Sequence, residues 1–460
     1  MRFDLLTAPV DGVSEAYDVV GGFDGTLVAG LLRPGAEQIA ALHGLAAAVS
    51  GTPLAARVAE AVDKTVAGSI SDEHLAALVA ARSALLGAAH DALLAQLDEA
   101  AGRSRDLWPA AVPSAPAGAE NLLAAARSWL SDLAIAGWRG IDHDLVSHAD
   151  QAVQALLAEP RLRRLGALLD GFAGELRACA PGATMPRVPV RRWADLWARA
   201  LLLAQPGALA AAEAGTVSGR LLPLGIDLHE HPTAVQAQVH AVLETADGPR
   251  LVRASVAAPK VDTLVGSGVW QLLRGHSSLL AAVTEQRAMD LVDMPVTAGG
   301  DLIWTDGHAR PGAPAEPFAT ARVQLATAAA APVPPLERHP VRLAEPVLLE
   351  GYTVTPHDDG VTLALPGLTI EVDVERMHSA GPLTPALVAT STACIGLLRW
   401  DGCWTIQPLA VEAAVKRKTV AVHAGAWAGG AGDAAGAKAE AAAADAVKVL
   451  RERAGRLLRR

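Results

Sequence analysis

Apolar residues recur at helical spacing through the first two hundred positions, then switch near residue 214 to alternation with a period of two. Helical patterns run over 36–50, 53–67, 72–101, 119–135, 142–158, 162–177 and 190–205, while residues 1–30 fit no single element. In the third of these, Leu75, Leu78, Val79, Leu85, Leu86, Leu93, Leu94 and Leu97 gather on one face, as a buried helix requires. Ser69 or Ser71 is placed to cap it, and Pro181-Gly182 and Pro206-Gly207 close the last two helices.

Beyond the switch, strands at 221–230, 234–244 and 250–258 predict an antiparallel meander. The expected register sets Leu228 opposite Ala237, Ile226 opposite Val239 and Leu222 opposite Leu243. An Asp247-Gly248 turn then sets Leu243 opposite Val252, Ala241 opposite Ala254 and Val239 opposite Val256. One face is apolar and the other mostly polar, the signature of a half-buried sheet. A helix is expected over 277–292, a strand over 320–325 between Pro/Ala/Gly-rich runs, and strands over 347–355, 361–365 and 368–374. Hairpins follow over 394–408, with Trp400-Asp401-Gly402-Cys403 at the tip, and over 410–423, turning at Lys416-Arg417-Lys418. After Gly425 a Gly/Ala-rich linker leads to a basic terminal helix. The expected fold is therefore α+β: an all-α helical domain (1–213), a mainly antiparallel β domain (214–425) and a tethered C-terminal helix (426–460). Alternation alone does not distinguish an open sheet from a barrel.

The 460 residues exceed what one ordinary core holds, so at least two domains are expected. Aromatics make up only 3%, which leaves Leu, Val and Ala to fill the cores. A net charge of -10 opposes the basic face with which proteins displace counterions from nucleic acid. Cys179, Cys394 and Cys403 are too scattered for a disulfide framework. The N-terminus lacks a basic-then-apolar leader, and no continuous apolar run reaches the ~18 residues of a membrane span. These features predict a cytoplasmic protein with no membrane span and no nucleic-acid partner.

Candidate chemistry is sparse. In the expected register His240 faces Ser255 with Asp227 diagonal to it, a hydroxyl, a base and an orienting carboxylate of the kind acyl transfer uses. No sharp turn or oxyanion donors accompany them, and a face that also shows Gln236, Gln238 and Arg253 equally describes a solvated sheet. His229 and His231 alternate as metal ligands on a strand would, but His240 lies ~13 Å along the sheet from His229 and His231 falls in the turn. Asp142-His143-Asp144 with His148 reads most simply as a capped, acidic first helical turn. Cys394 and Cys403 sit too far apart along their hairpin to bridge. None of the six lysines follows a glycine, which excludes a phosphate loop, and Gly429, Gly430, Gly432 and Gly436 miss the dinucleotide spacing. No cofactor is expected.

The most distinctive local sequence is Arg191-Arg192-Trp193-Ala194-Asp195-Leu196-Trp197-Ala198-Arg199. Trp193 and Trp197 stack on one helical face, with Arg192 and Arg199 beside Asp195 on a neighbouring one. This is either a partner-binding surface or a helix whose tryptophans close the domain. The block, followed by Ala-rich helix and strands, resembles an uncharacterised actinobacterial protein family associated with loci for a MoxR-type AAA+ ATPase and a von Willebrand factor A domain protein. That resemblance implies a non-catalytic accessory subunit of an ATP-driven assembly. The C-terminal helix adds Arg451, Arg453, Arg456 and Arg459, a basic amphipathic element suited to docking on an acidic surface. The expected function is a scaffold or adaptor working through protein–protein contacts. The alternatives are a small-molecule hydrolase using His240, Ser255 and Asp227, or a ligand-binding module with a pocket between the halves.

Overall fold

The computed structural model describes residues 1–108, 119–209, 213–231, 234–260, 264, 266–358, 360–415, 418–430, 437–438 and 441. A short turn at Phe3–Thr7 precedes nine helices: α1 (Val13–Ala29), α2 (Ala36–Ala48), α3 (Ala55–Val66), α4 (Asp72–Ala101), α5 (Glu120–Ala136), α6 (His143–Ser147), α7 (Ala149–Ala158), α8 (Arg163–Cys179) and α9 (Val190–Leu203). The expected helix over 142–158 is two, meeting at His148. Helix α4 starts where the Ser71 hydroxyl accepts the His74 N–H at 3.3 Å and stops at Gly102, whose φ of 68° suits glycine. It is long and apolar enough by length and composition to cross a membrane, yet half of its most apolar window is buried inside the protein. Trp129, Trp138, Phe172 and Trp193 pack edge to face at the centre of the helical core.

The mainly antiparallel half consists of two barrels. The first uses β1 (Glu213–Glu230), β2 (Ala234–Thr245), β3 (Gly248–Pro259), the helices α10 (Val269–Leu272) and α11 (Ser277–Thr284), then β4 (Arg287–Thr297), β5 (Asp301–Leu302) and β6 (Ala309–Pro314). The first half of the long β1 pairs with β4 and its second half with β2. Because β3 pairs in parallel with β5, the ring closes in the order β1-β2-β3-β5-β4-β1. After α12 (Pro317–Thr320), β7 (Ala329–Ala330) and a proline-rich crossing, the second barrel follows. It comprises β8 (Glu345–Glu350), β9 (Thr353–His357), β10 (Gly360–Leu365), β11 (Leu368–Val372), α13 (Pro385–Val388), β12 (Ser391–Trp400), β13 (Trp404–Val415) and β14 (Lys418–His423). Consecutive β8 and β9 act as one bent strand, β8 on β12 and β9 on β10, and β11 pairs in parallel with β13. Both barrels thus share one connectivity, that of the five-stranded Greek-key barrel of OB folds, with helix between the third and fourth strands.

Local chemistry explains the departures from the expected elements. A bulge at Leu224 slips the first register, so Leu221 rather than Leu222 meets Leu243. The second hairpin turns at Ala246-Asp247, where the Thr245 hydroxyl accepts from the Asp247 N–H and donates to the Gly248 carbonyl. Its register is shifted by two: Val239 meets Ala254, Ala241 meets Val252, and His240 meets Arg253. A two-residue shift preserves every side chain's face and changes every neighbour. The helix expected over 277–292 ends at Thr284, and the chain reverses through Gln286 at φ 51° into β4. The strand expected over 320–325 is helical, because Glu316 accepts the N–H groups of Phe318 and Ala319 and Pro317 starts the turn.

Three cores result. Leu75, Leu78 and Val79 from the front of α4 belong to the helical core, whereas Leu93, Leu94 and Leu97 from its rear join the core containing both barrel interiors. Between the barrels, Leu222, Leu224, Ala393, Ile395 and Ala410 form a third cluster with Phe318 and Leu325. Gly225 lets them touch: a Cβ there would lie 2.6 Å from the Leu409 Cβ.

Candidate functional site

The bulge in β1 settles what faces the second barrel. Its outward positions read Leu222, Leu224, Gly225, Asp227 and His229, so an apolar contact gives way to an acidic one. Asp227 accepts hydrogen bonds from Gln407 Nε2 at 2.7 Å and Arg399 Nη2 at 3.0 Å, and His229 Nε2 lies 3.1 Å away. Arg399 also donates to Gln407 Oε1 at 2.7 Å. Burial alone would raise the Asp227 carboxyl, but His229 and Arg399 outweigh it and hold the group well below the usual carboxylate range. A buried charge with this many donors is a satisfied clasp between strands of two barrels.

His240 lies further along the same seam and is fully buried. Neither ring nitrogen has a hydrogen-bond partner among the described residues, and burial pushes the ring down to about 3 despite the nearby Asp227 charge. Ser255 sits opposite Gln238, whose Nε2 donates to its hydroxyl at 3.1 Å. Asp227, His240 and Ser255 therefore share a face without forming a relay: the carboxylate is engaged by Arg399 and Gln407, and base and hydroxyl are not hydrogen-bonded. His229 serves Asp227, while His231 packs against α8, where a Cβ on Gly171 would come within 2.7 Å of its Nε2. Among the described residues no three His, Cys, Asp or Glu side chains converge as metal ligands would. Asp142 caps α6, accepting the Leu145 N–H at 2.8 Å. Cys394 is buried, its thiol pushed up to about 12, and Cys403 is exposed at its hairpin tip.

A second polar seam, invisible to local sequence patterns, surrounds Glu345 at the start of β8. Arg105 donates to it at 3.1 Å while holding Asp98 at 2.8 Å, and Arg103 approaches it at 3.7 Å. Both arginines follow α4, so the end of that helix is tied to the second barrel. Arg253 on β3 pairs with Asp301 on β5 at 2.7 Å.

The tryptophan-bearing helix α9 divides its faces between core and crossing. Trp193 and Trp197 are 1% and 0% exposed, and Trp197 Nε1 donates to the Leu130 carbonyl at 2.8 Å. Asp195 accepts from Arg82 Nη2 at 2.6 Å and from His339 of the proline-rich crossing at 3.0 Å. Burial would raise the Asp195 carboxyl, but His339 and Arg82 prevail and hold it at about 2. Arg82 simultaneously forks onto Asp24 at 2.6 and 2.8 Å. Arg199 approaches the crossing at the Leu336 carbonyl (3.3 Å) and Glu337 (3.7 Å), where Arg164 and Arg342 also pair. Arg192 pairs with Glu175 on α8. The motif thus seats the chain that crosses from one barrel to the other. Arg451, Arg453, Arg456 and Arg459 lie outside the described residues.

A cavity of about 160 Å³ lies beside α10 and α11, lined by Ser267, Trp270, Gln271, Arg274 and Trp427. It forms because the chain after β14 folds back on the first barrel: Thr284 Oγ1 donates to the Gly425 carbonyl and accepts the Gly429 N–H. The linker read from Gly425 onward is therefore anchored as far as Gly429. Comparison of the chain with protein-family models, with curated proteins and with solved structures finds no match.

Proposed function

We propose that this chain is a non-catalytic scaffold or adaptor subunit, cytoplasmic and acting through protein–protein contacts. The observation that carries this reading is the fate of the polar residues. Asp227, Arg399, Gln407, Asp195, Arg82 and His339 hold the helical domain and the two barrels together, which suits a platform and leaves none of these six free to act as acid or base on a substrate. Barrels of this connectivity bind oligonucleotides through their second and third strands. Here those strands show Gln238 beside Ser255, with Arg253 already paired to Asp301, in one barrel and Thr362 and Glu371 in the other. Such rows offer neither the aromatic platform nor the cationic groove that single strands need, and favour a protein partner.

The basic C-terminal segment supplies the docking element on a chain that is acidic as a whole. Its partner is an acidic protein surface, with an AAA+ ATPase or a von Willebrand factor A protein as the candidates the sequence resemblance raises. The test is affinity capture of the full chain beside a chain ending at Gly430, which preserves the anchored 424–430 stretch. Stoichiometric partners should be retained by the first and lost from the second. Absence of any stoichiometric partner from both would overturn the adaptor reading.

A further inference from the structure

We propose that the free edge of β14 accepts an extended, acidic strand from a partner protein, an inference that rests on the adaptor reading. Barrel closure hides nearly every strand edge, which makes the remaining ones informative. The outer edge of β6 is blunted by Pro311 and Pro314, which lack N–H donors. Strand β14 has no such protection: Lys418-Thr419-Val420-Ala421-Val422-His423 contains no proline. It pairs with β13 from Val415↔Lys418 to Ala410↔His423, and its other edge has no ladder partner among the described residues.

Two further observations select the occupant. Val420 is 42% exposed, an apolar side chain standing at the open edge where an added strand would cover it. The strand begins at Lys418, the last residue of a basic run in the sequence, and Lys418 has no ion pair among the described residues. The acid nearest in the ladder, Glu412 opposite Ala421, is already held by Arg322 at 2.6 Å. An incoming strand would gain main-chain hydrogen bonds along β14, apolar contact at Val420 and carboxylate pairing at its end. The chain's own C-terminal segment carries the wrong charge for this position, with seven basic and three acidic residues after Gly436.

The test uses the full-length protein and a capped octapeptide of alternating Val and Glu, with the Val/Lys octapeptide as counterpart. The acidic peptide should bind at least tenfold more tightly and slow amide exchange within 418–423. Val420→Asp and Lys418→Glu, both surface changes that leave the barrels intact, should each weaken it tenfold or more. Equal binding of the two peptides, or protection elsewhere, would refute the proposal. So would binding of neither, the result expected if Lys418 serves only to repel other strands. Concentration-dependent dimerisation abolished by Val420→Asp would assign the edge to a second copy and likewise overturn it. Because the chain ending at Gly430 keeps β14, peptide binding and tail-dependent partner capture succeed or fail independently.

Discussion

Lowering the pH from 7 to 5 should strip this protein of much of its stability through histidines held neutral in its interior. Burial pushes His240 down to about 3 and His378 and His423 to about 4, from an ordinary 6.5. Since the folded values lie below the unfolded one, the unfolded chain takes up protons first as the pH falls. Stability contributed by each neutral ring is complete above about 6.5 and declines as the pH falls toward the folded value, by about 1.4 kcal/mol per pH unit. At pH 5 the loss is about 2 kcal/mol for each ring and about 6 kcal/mol for the three, against a typical total of about 5–15 kcal/mol. Around His240, Asp227 and Glu345 favour the proton while Arg253 and Arg399 oppose it, and burial outweighs both. Urea unfolding followed by tryptophan fluorescence at pH 7, 6 and 5 reads the effect. His240→Leu should lessen the pH slope by about 1.4 kcal/mol per unit. An unchanged slope in that variant would refute the reasoning, because it would mean that His240 titrates alike in both states.

Three further outcomes follow from the seams. Gly225→Ala drives a methyl against the Leu409 Cβ and should cost about 1–3 kcal/mol, a loss less than additive with that of Leu409→Gly, which removes that Cβ; strict additivity in chemical denaturation would place the clash elsewhere. Arg82→Met leaves Asp24 and Asp195 buried without their shared guanidinium and should destabilise by about 3–5 kcal/mol in chemical denaturation. Asp227→Asn removes the charge that Arg399 faces and should cost about 1–3 kcal/mol, whereas Ser255→Ala should change stability by less than about 0.5 kcal/mol. Similar losses in the last two variants would contradict the geometry of the barrel seam.

What the sequence disclosed and what it concealed divide along the range of the forces involved. The start of α4 was legible because a serine cap is written there, and the left-handed Gly102 stops it at the other end. In the β1–β2–β3 meander the buried face was legible because alternation survives a two-residue slip, yet the true neighbour of His240 depended on a hydroxyl at Thr245 that reshaped the turn. The break at Gln286 was hidden because a left-handed glutamine carries no sequence signal. The polar face of the meander reads as solvated in any local window; only a second barrel arriving some 170 residues later covers Asp227. Nor does local pattern show that both barrels repeat one connectivity, since β3–β5 and β11–β13 are parallel pairings across long insertions. For α9, the helix and its aromatic stripe were evident, while the task of Asp195 was not, because His339 belongs to a crossing rich in proline.

Helix α4, roughly 45 Å long at 1.5 Å per residue, also sets an order of events during synthesis. Its front half can bury Leu75, Leu78 and Val79 among neighbouring helices as soon as these leave the ribosome. The rear half packs at once on the Phe3–Thr7 turn, where Gln96 donates to the Leu5 and Ala8 carbonyls, but the core that Leu93, Leu94 and Leu97 share is completed only by barrel residues such as Val347, Leu398 and Val411. At ordinary elongation rates that interval is roughly 15–60 s. Throughout it the rear of α4 has only the N-terminal turn for cover, on an otherwise finished helical domain, and its burial is complete only when the second barrel is.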